Sequence, residues 1–125
     1  MEIKELGHLV LYVRDLNVSA HFYRDVLGWE PILQGDEESS FPAMAFNSSS
    51  HRTHHELLLI EVGPKAAPLM EGRRVGLYHF GLKVGQSDDE LREALERLRA
   101  NDVEIVGATD HGMTHSLYIL SLIHI

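Results

Sequence analysis

The same order of predicted elements occurs twice in this chain, and this duplication limits the available folds more than any other feature. Residues 7–13 alternate between two faces, with Leu9, Leu11 and Val13 on one of them, which predicts a β-strand. Residues 78–84 repeat the alternation. His8 and His79, 71 residues apart, stand near the start of the two segments. Each segment is followed by a predicted helix and further strands, so two similar modules are predicted.

The first module has the predicted order βαβββ. Val18, Phe22 and Val26 recur at every fourth position, and Gly28 is a good C-terminal capping residue. A helix is therefore predicted from about residue 18 to residue 27. Polar segments separate the later strands, which are predicted at residues 29–33, 43–46 and 54–62.

After a connector at residues 63–76, the second module repeats this order but lacks its last strand. Ser87 and Glu90 have the spacing of a capping box, and the helix that follows is predicted to end near Asn101. Strands are predicted at residues 103–106 and 116–120, and the repeat offset places a fourth at about residues 127–135. We interpret the chain as C-terminally truncated, with residues 121–125 as a candidate non-native tail. A natural short variant is the alternative.

The predicted fold class is α+β, with tandem βαβββ modules that form an open, concave mixed sheet from which the last strand of the second module is missing. Each module would have a helix on one face of a curved sheet and a concave opposite face, so that two modules enclose a site. The length suits one domain, residues 1–125, with module 1 at about residues 5–62 and module 2 at about residues 77–120.

Composition narrows the possible partners. The net charge of -8, with 19 acidic and 11 basic residues, disfavours nucleic acid as a partner, because phosphate binding requires clustered Lys and Arg. No apolar run is long enough to predict a membrane span, and the absence of cysteine excludes disulfides and thiolate zinc sites. The start of the chain has no signal-peptide pattern, so cytoplasmic location and a small-molecule partner are predicted.

His8 and His79 are the predicted metal ligands. Both lie on the face opposite the larger apolar residues of their segments, so both are predicted to point to the concave side. Two neutral imidazoles and a carboxylate form the ligand set of non-haem Fe(II) sites that keep positions open for substrate and oxygen. Zn, Ni or Mn are alternatives, and two hydrogen-bonded structural histidines are the simpler interpretation.

The residues of both modules carry a family resemblance. The segment GHLVLYVRDLNVSAHFYRDVLGW resembles the opening module of the vicinal oxygen chelate superfamily, which includes glyoxalases, bleomycin-resistance proteins and extradiol dioxygenases. The segment YHFGLKV and its amphipathic helix resemble the second module, and the resemblance extends over residues 5–120. Residues 109–118 resemble the extradiol-dioxygenase signature, which normally continues to a metal-binding glutamate; family spacing puts this residue near position 128. The resemblance also implies a homodimer.

The resemblance implies three catalytic residues. His55, the second histidine of an adjacent pair, would be the acid-base group, while His111 and Tyr118 would hydrogen-bond substrate oxygens. The simpler interpretations are loop histidines for His55 and His111 and a core aromatic residue for Tyr118. His115 receives no role.

Three functions follow from this resemblance. The favoured one is an Fe(II) enzyme that cleaves the ring of a catechol-like substrate, whose two adjacent oxygens chelate the metal. The second is a glyoxalase-type lyase or isomerase, which would require a carboxylate such as Glu56 or Glu61; these would also be the substitutes for the missing metal ligand, unless a partner chain supplies one. The third is a metal-free binding protein of the bleomycin-resistance type, which the paired histidines disfavour.

Overall fold

The computed structural model describes residues 1–34, 42–68, 72–73 and 75–120. The chain divides into two compact units, Met1–Ala67 and Pro68–Ile125. The division falls inside the predicted connector at residues 63–76. The candidate non-native tail at residues 121–125 lies outside the described residues.

The first unit contains a four-stranded sheet in the order β1-β4-β3-β2. β1 pairs in parallel with β4, with Leu9 opposite Leu57, and the other two pairings are antiparallel. The sequence analysis predicted all four strands. However, β4 begins at Leu57 rather than at residue 54, so His54 and His55 lie in the turn before it. The strands are β1 Leu9–Val13, β2 Glu30–Gln34, β3 Ala43–Asn47 and β4 Leu57–Glu61.

The core of the first unit lies on one face of this sheet. Leu11 and Val13 are buried, as predicted, whereas Val10 and Tyr12 between them are 43% and 69% exposed. On this face of the sheet, the apolar side chains of the neighbouring strands are also buried from solvent. One helical segment packs against them. The buried apolar side chains of the sheet are Leu11, Val13, Met44, Phe46, Leu57 and Leu59, with Ala45 also buried.

The helical segment of the first unit consists of α1 (Leu16–His21) and a π-helical turn at Phe22–Val26. Helix α1 begins two residues earlier than predicted because Asp15 is its N-cap and accepts a hydrogen bond from the Val18 amide at 2.9 Å. In the π-helical turn, the Leu27 amide donates to the carbonyl of Phe22, five residues earlier. The predicted end is confirmed, since Gly28 adopts a φ of 82°.

The second unit contains helix α2 (Asp88–Ala100) and an antiparallel pair, β5 (Ile105–Asp110) and β6 (His115–Ile119). The predicted capping box is confirmed, with Ser87 and Glu90 each bonded to the other's backbone amide. Neither helix in the described part of the chain is long and apolar enough to cross a membrane.

The strand predicted at residues 78–84 is not formed. In the first unit, the corresponding strand β1 has β4 as its only neighbour in the sheet. Among the described residues of the second unit, the strands β5 and β6 pair with each other, so residues 78–84 have no strand partner there. An apolar alternating segment without a partner leaves its backbone amides and carbonyls unbonded and does not form a ladder.

His115, which received no role from the sequence, connects β6 to helix α2. Its Nδ1 lies 2.6 Å from a carboxylate oxygen of Asp88 in the first turn of the helix, and its Nε2 lies 3.3 Å from Asp110. The hydrogen bond to Asp88 and the negative charges of both aspartates raise the pKa of His115 above its usual 6.5. The shallow groove beside it, about 210 Å³ in volume, is smaller than a typical small-molecule pocket.

Replacing Leu59 by alanine should reduce the free energy of unfolding by about 2–5 kcal/mol, because this side chain is fully buried. The Val10→Ala variant is the matched control from the opposite face of the sheet and should lose under about 1 kcal/mol. Urea denaturation of both variants measures the difference. Equal losses would contradict the assignment of the buried face.

The contribution of His115 to stability should depend on pH. Because its pKa is raised in the folded state, the contribution is fully present below the unfolded value of 6.5 and is lost as the pH rises through the folded value. The wild type should therefore be more stable than His115→Gln at about pH 5.5, and this difference should shrink towards about pH 9. Urea denaturation at both pH values tests this, and Asp88→Asn should remove most of the pH dependence.

Candidate functional site

Three imidazole rings come together at one end of the sheet in the first unit. The ring centroids of His8 and His55 are 4.7 Å apart, those of His54 and His55 are 4.1 Å apart, and those of His8 and His54 are 6.0 Å apart. His8 immediately precedes β1. The backbone amide of Leu9 donates to the carbonyl of Glu56 at 2.9 Å, which aligns the starts of β1 and β4. The structure thus brings together the predicted metal ligand His8 and the predicted acid-base residue His55.

His55 differs electrostatically from an ordinary surface histidine. It is half-buried, and this burial, followed by the proximity of His54 and His8, lowers its pKa below the usual 6.5. His55 is therefore a neutral imidazole at neutral pH, in which one ring nitrogen can accept a proton. His55 lies in the turn before β4, and its catalytic role stays a prediction beside the simpler interpretation as a loop histidine.

The other predicted site residues come together in the second unit. The Tyr118 hydroxyl lies 3.4 Å from Nε2 of His111, which can accept its proton. The ring centroids of Tyr118 and His79 are 6.1 Å apart. Tyr118 is half-buried rather than part of a closed core, and His79 and His111 are exposed. Thus His79, His111 and Tyr118 lie near one another, as the three residues of a site would.

Glu56 has a different structural position from the one that the sequence predicted. It precedes β4, is buried, and accepts hydrogen bonds from Ser48, Ser50 and Arg52. The hydrogen bond from the Ser48 hydroxyl is the main reason why the pKa of Glu56 is lowered to about 2. The bonds from the Ser48 amide, Arg52 and Ser50 act in the same direction, against the effect of burial. The carboxylate is therefore ionised and fully engaged by the loop that precedes it.

Glu61, the second glutamate considered for a catalytic or metal-binding role, is also engaged. Its Oε2 accepts a hydrogen bond from the backbone amide of Leu16 at 2.8 Å, at the start of helix α1. A carboxylate in this position bonds an amide that has no partner within the helix. Glu56 would have to release hydrogen bonds to act as a metal ligand or proton carrier, whereas Glu61 uses one oxygen for Leu16 and lies opposite Val13, at the other end of β1 from His8.

The histidines are suited to bind a divalent metal. The rings of His8 and His79 form no hydrogen bond or ion pair within the described residues, so their nitrogens have no competing partner there. Among the same residues, no three His, Cys, Asp or Glu side chains are arranged as a ligand group. His8 and His79 belong to different units, and their binding of one metal stays a prediction.

His54 is the site residue that the sequence analysis left without a role. Its ring contacts both His8 and His55, but it is more exposed than His55. The adjacency of two histidines was the only available signal. Which of the two is partly buried depends on how the turn before β4 is folded.

Solved structures share this fold. A glyoxalase/bleomycin resistance protein/dioxygenase domain from Frankia sp. EAN1pec matches with a TM-score of 0.76 and 20% identity, covering 99% of this chain and 94% of that one. The fosfomycin resistance protein FosX from Listeria monocytogenes, crystallised as an E126Q mutant with Mn(II) and 1S,2S-dihydroxypropylphosphonic acid, matches with a TM-score of 0.67 and 20% identity, covering 98% of this chain and 88% of that one.

The sequence is also similar to a curated protein and to a family model. It is 30% identical over 118 residues to the catechol-2,3-dioxygenase of Bacillus subtilis (strain 168). The match covers 94% of this chain, which spans only 38% of the length of that dioxygenase. The family model matches residues 5–122, so the chain belongs to the Glyoxalase/Bleomycin resistance protein/Dioxygenase superfamily.

Proposed function

We propose that this protein contributes to a metal-dependent extradiol dioxygenase, which opens the ring of a catechol-like substrate with two adjacent hydroxyl groups. Fe(II) is the proposed metal, with Zn, Ni and Mn as alternatives. The similarity to the Bacillus subtilis catechol-2,3-dioxygenase supports the substrate class. Homodimerisation and cytoplasmic location remain predictions.

The observation that carries this proposal is the 4.7 Å separation of the His8 and His55 rings. Ring opening of a diol requires an acid-base group close to the metal-bound substrate oxygens. A histidine beside a metal-ligating histidine meets this requirement, and His55 is not involved in an ion pair within the described part of the chain.

In this proposal, His8 and His79 hold the metal. A bound divalent metal would act as a Lewis acid and as a template for the two adjacent substrate oxygens. A third, carboxylate ligand is part of the proposed set. Glu56 is bonded to its loop through both oxygens, and Glu61 lies opposite Val13, at the other end of β1 from His8. We propose that a partner chain supplies it.

The remaining residues would move a proton and orient the substrate. A ring nitrogen of His55 would accept the proton of a substrate hydroxyl, since the imidazole is neutral at neutral pH. The Tyr118 hydroxyl oxygen, 3.4 Å from Nε2 of His111, would accept a hydrogen bond from the substrate. His111 would fix the orientation of that hydroxyl.

The engaged glutamates disfavour the lyase or isomerase alternative. Proton transfer next to a carbonyl in such an enzyme would require a carboxylate from the fourth strand of the first module. Glu56 would have to break hydrogen bonds with its loop to act as a base, and Glu61 lies at the end of β4 remote from His8. A metal-free binding protein remains the other alternative, and a metal titration distinguishes it from the proposed enzyme.

Anaerobic calorimetric titration with Fe(II) should detect one site per chain, and both His8→Ala and His79→Ala should abolish it, because each removes an imidazole ligand. His21→Ala is the matched control, since His21 is exposed on helix α1 and bonded to Asp25. Binding that persists unchanged in both ligand variants, or that is absent from the wild type, would contradict the proposed site.

Oxygen uptake with catechol should test the role of His55. The His55→Gln variant should retain Fe(II) binding but lower kcat by roughly 100- to 10,000-fold, because it lacks the proton acceptor. The His21→Gln variant should behave like the wild type. Equal oxygen uptake by wild type and His55→Gln would contradict the proposed acid-base role.

A further inference from the structure

One buried carboxylate, that of Glu56, accepts hydrogen bonds from three residues of the loop at residues 47–56. Glu56 Oε2 accepts hydrogen bonds from the Ser48 amide at 2.9 Å and the Ser48 hydroxyl at 2.6 Å. Its Oε1 accepts from the Ser50 hydroxyl at 3.1 Å and from two nitrogens of Arg52 at 3.2 and 3.1 Å. The loop is therefore folded back onto the residue that ends it.

The backbone of Glu56 fixes the same residue to two strands. Its amide donates to the carbonyl of Phe46 in β3 at 2.9 Å, and its carbonyl accepts from the amide of Leu9 in β1 at 2.9 Å. The side chain thus ties the loop to a point that is itself fixed between β1 and β3. Because the carboxylate is buried and ionised, loss of these hydrogen bonds would leave an uncompensated charge.

Further polar contacts fix the rest of the loop. Asn47 donates to the carbonyl of Thr53 at 3.2 Å, and the Thr53 hydroxyl lies 2.5 Å from the carbonyl of His55 and 3.2 Å from that of Gly7. His51 has a φ of 46°, a backbone conformation that is uncommon outside glycine, and its ring lies 2.8 Å from Glu30 in β2. The loop conformation is therefore determined at several points.

The rings of His54 and His55 are the exception in this network. They form no hydrogen bond among the described residues and instead contact each other and His8. The loop is bonded to Glu56 through the amide and hydroxyl of Ser48, and to Gly7, next to His8, through the Thr53 hydroxyl. The two rings are left available for chemistry. Interactions of this kind around a site orient its side chains without touching the substrate.

We infer that Glu56 is a positioning residue, which holds the loop at residues 47–56 so that the ring of His55 stays against the ring of His8. The importance of this positioning for catalysis rests on the proposed function. The contact between the two rings, however, is a property of the protein without metal or substrate. Glu56 acts through the loop and takes part in no chemical step.

The contact between the rings can be measured by the nuclear Overhauser effect between His8 and His55 in protein with isotope-labelled histidine, without added metal. The Glu56→Gln variant keeps the shape of the side chain but presents an amide NH₂ group to the donors of the loop. We expect it to lose the cross-peak. Glu61→Gln is the matched control, because it alters a carboxylate that bonds a backbone amide at the other end of β4, and it should keep the cross-peak.

A second variant provides a test if Glu56→Gln does not fold. Ser48→Ala removes the 2.6 Å hydrogen bond from the loop side and leaves the buried carboxylate with its other donors. It should weaken the cross-peak. An unchanged cross-peak in a folded Glu56→Gln variant, or in Ser48→Ala where Glu56→Gln does not fold, would overturn the inference.

Kinetics distinguishes this inference from the proposed function. If ring cleavage is observed, Glu56→Gln should lower kcat about 100-fold and leave KM within a factor of about two, because a misplaced acid-base group affects the chemical step more than substrate binding. If the wild type cleaves no catechol but Glu56→Gln loses the cross-peak, the proposed function fails and the positioning role stands. If the wild type cleaves catechol but Glu56→Gln keeps the cross-peak, the proposed function stands and the positioning role of Glu56 fails.

Discussion

The parallel pairing of β1 with β4 is the interaction on which the rest of the first unit depends. It places Leu9 opposite Leu57 and thereby brings the residues before the two strands, His8 and His55, to the same end of the sheet. The pairing also aligns the buried faces of both strands, so that Leu11 and Leu59 enter one core. A shift of register by one residue would move the apolar side chains to the exposed face and separate the histidines from this arrangement.

The second unit illustrates the same constraint by contrast. Residues 78–84 have the alternating pattern of β1 but form no strand, whereas β5 and β6 form because each has the other as a partner. The alternation of apolar residues indicates which face of a strand can be buried. The backbone hydrogen bonds of the strand require a second strand beside it. His79 therefore lies on an extended segment whose local contacts are aromatic rings, including that of Tyr118.

The two glutamates show why residue type alone could not assign the carboxylates of the site. Both lie in or next to β4, both are acidic, and a regular strand would have placed them on opposite faces. In the structure, Glu56 precedes the strand and binds the loop at residues 47–56, and Glu61 binds the start of helix α1. Their partners are serine, arginine and backbone groups that are distant from the glutamates by up to 45 residues in sequence. Only folding brings these groups within hydrogen-bonding distance.

The sequence by itself determined the local elements and the family. The alternation of residues 9–13, the capping box at Ser87 and Glu90 and the glycine at position 28 predicted a strand, a helix start and a helix end, because each depends on side chains only a few residues apart. The family match over residues 5–122 agrees with the resemblance of the two modules. Tertiary structure alone decided that His55 contacts His8, that Glu56 and Glu61 are structural, and that residues 78–84 form no strand. These outcomes depend on strand pairing and long-range hydrogen bonds, which the local periodicity of a sequence does not specify.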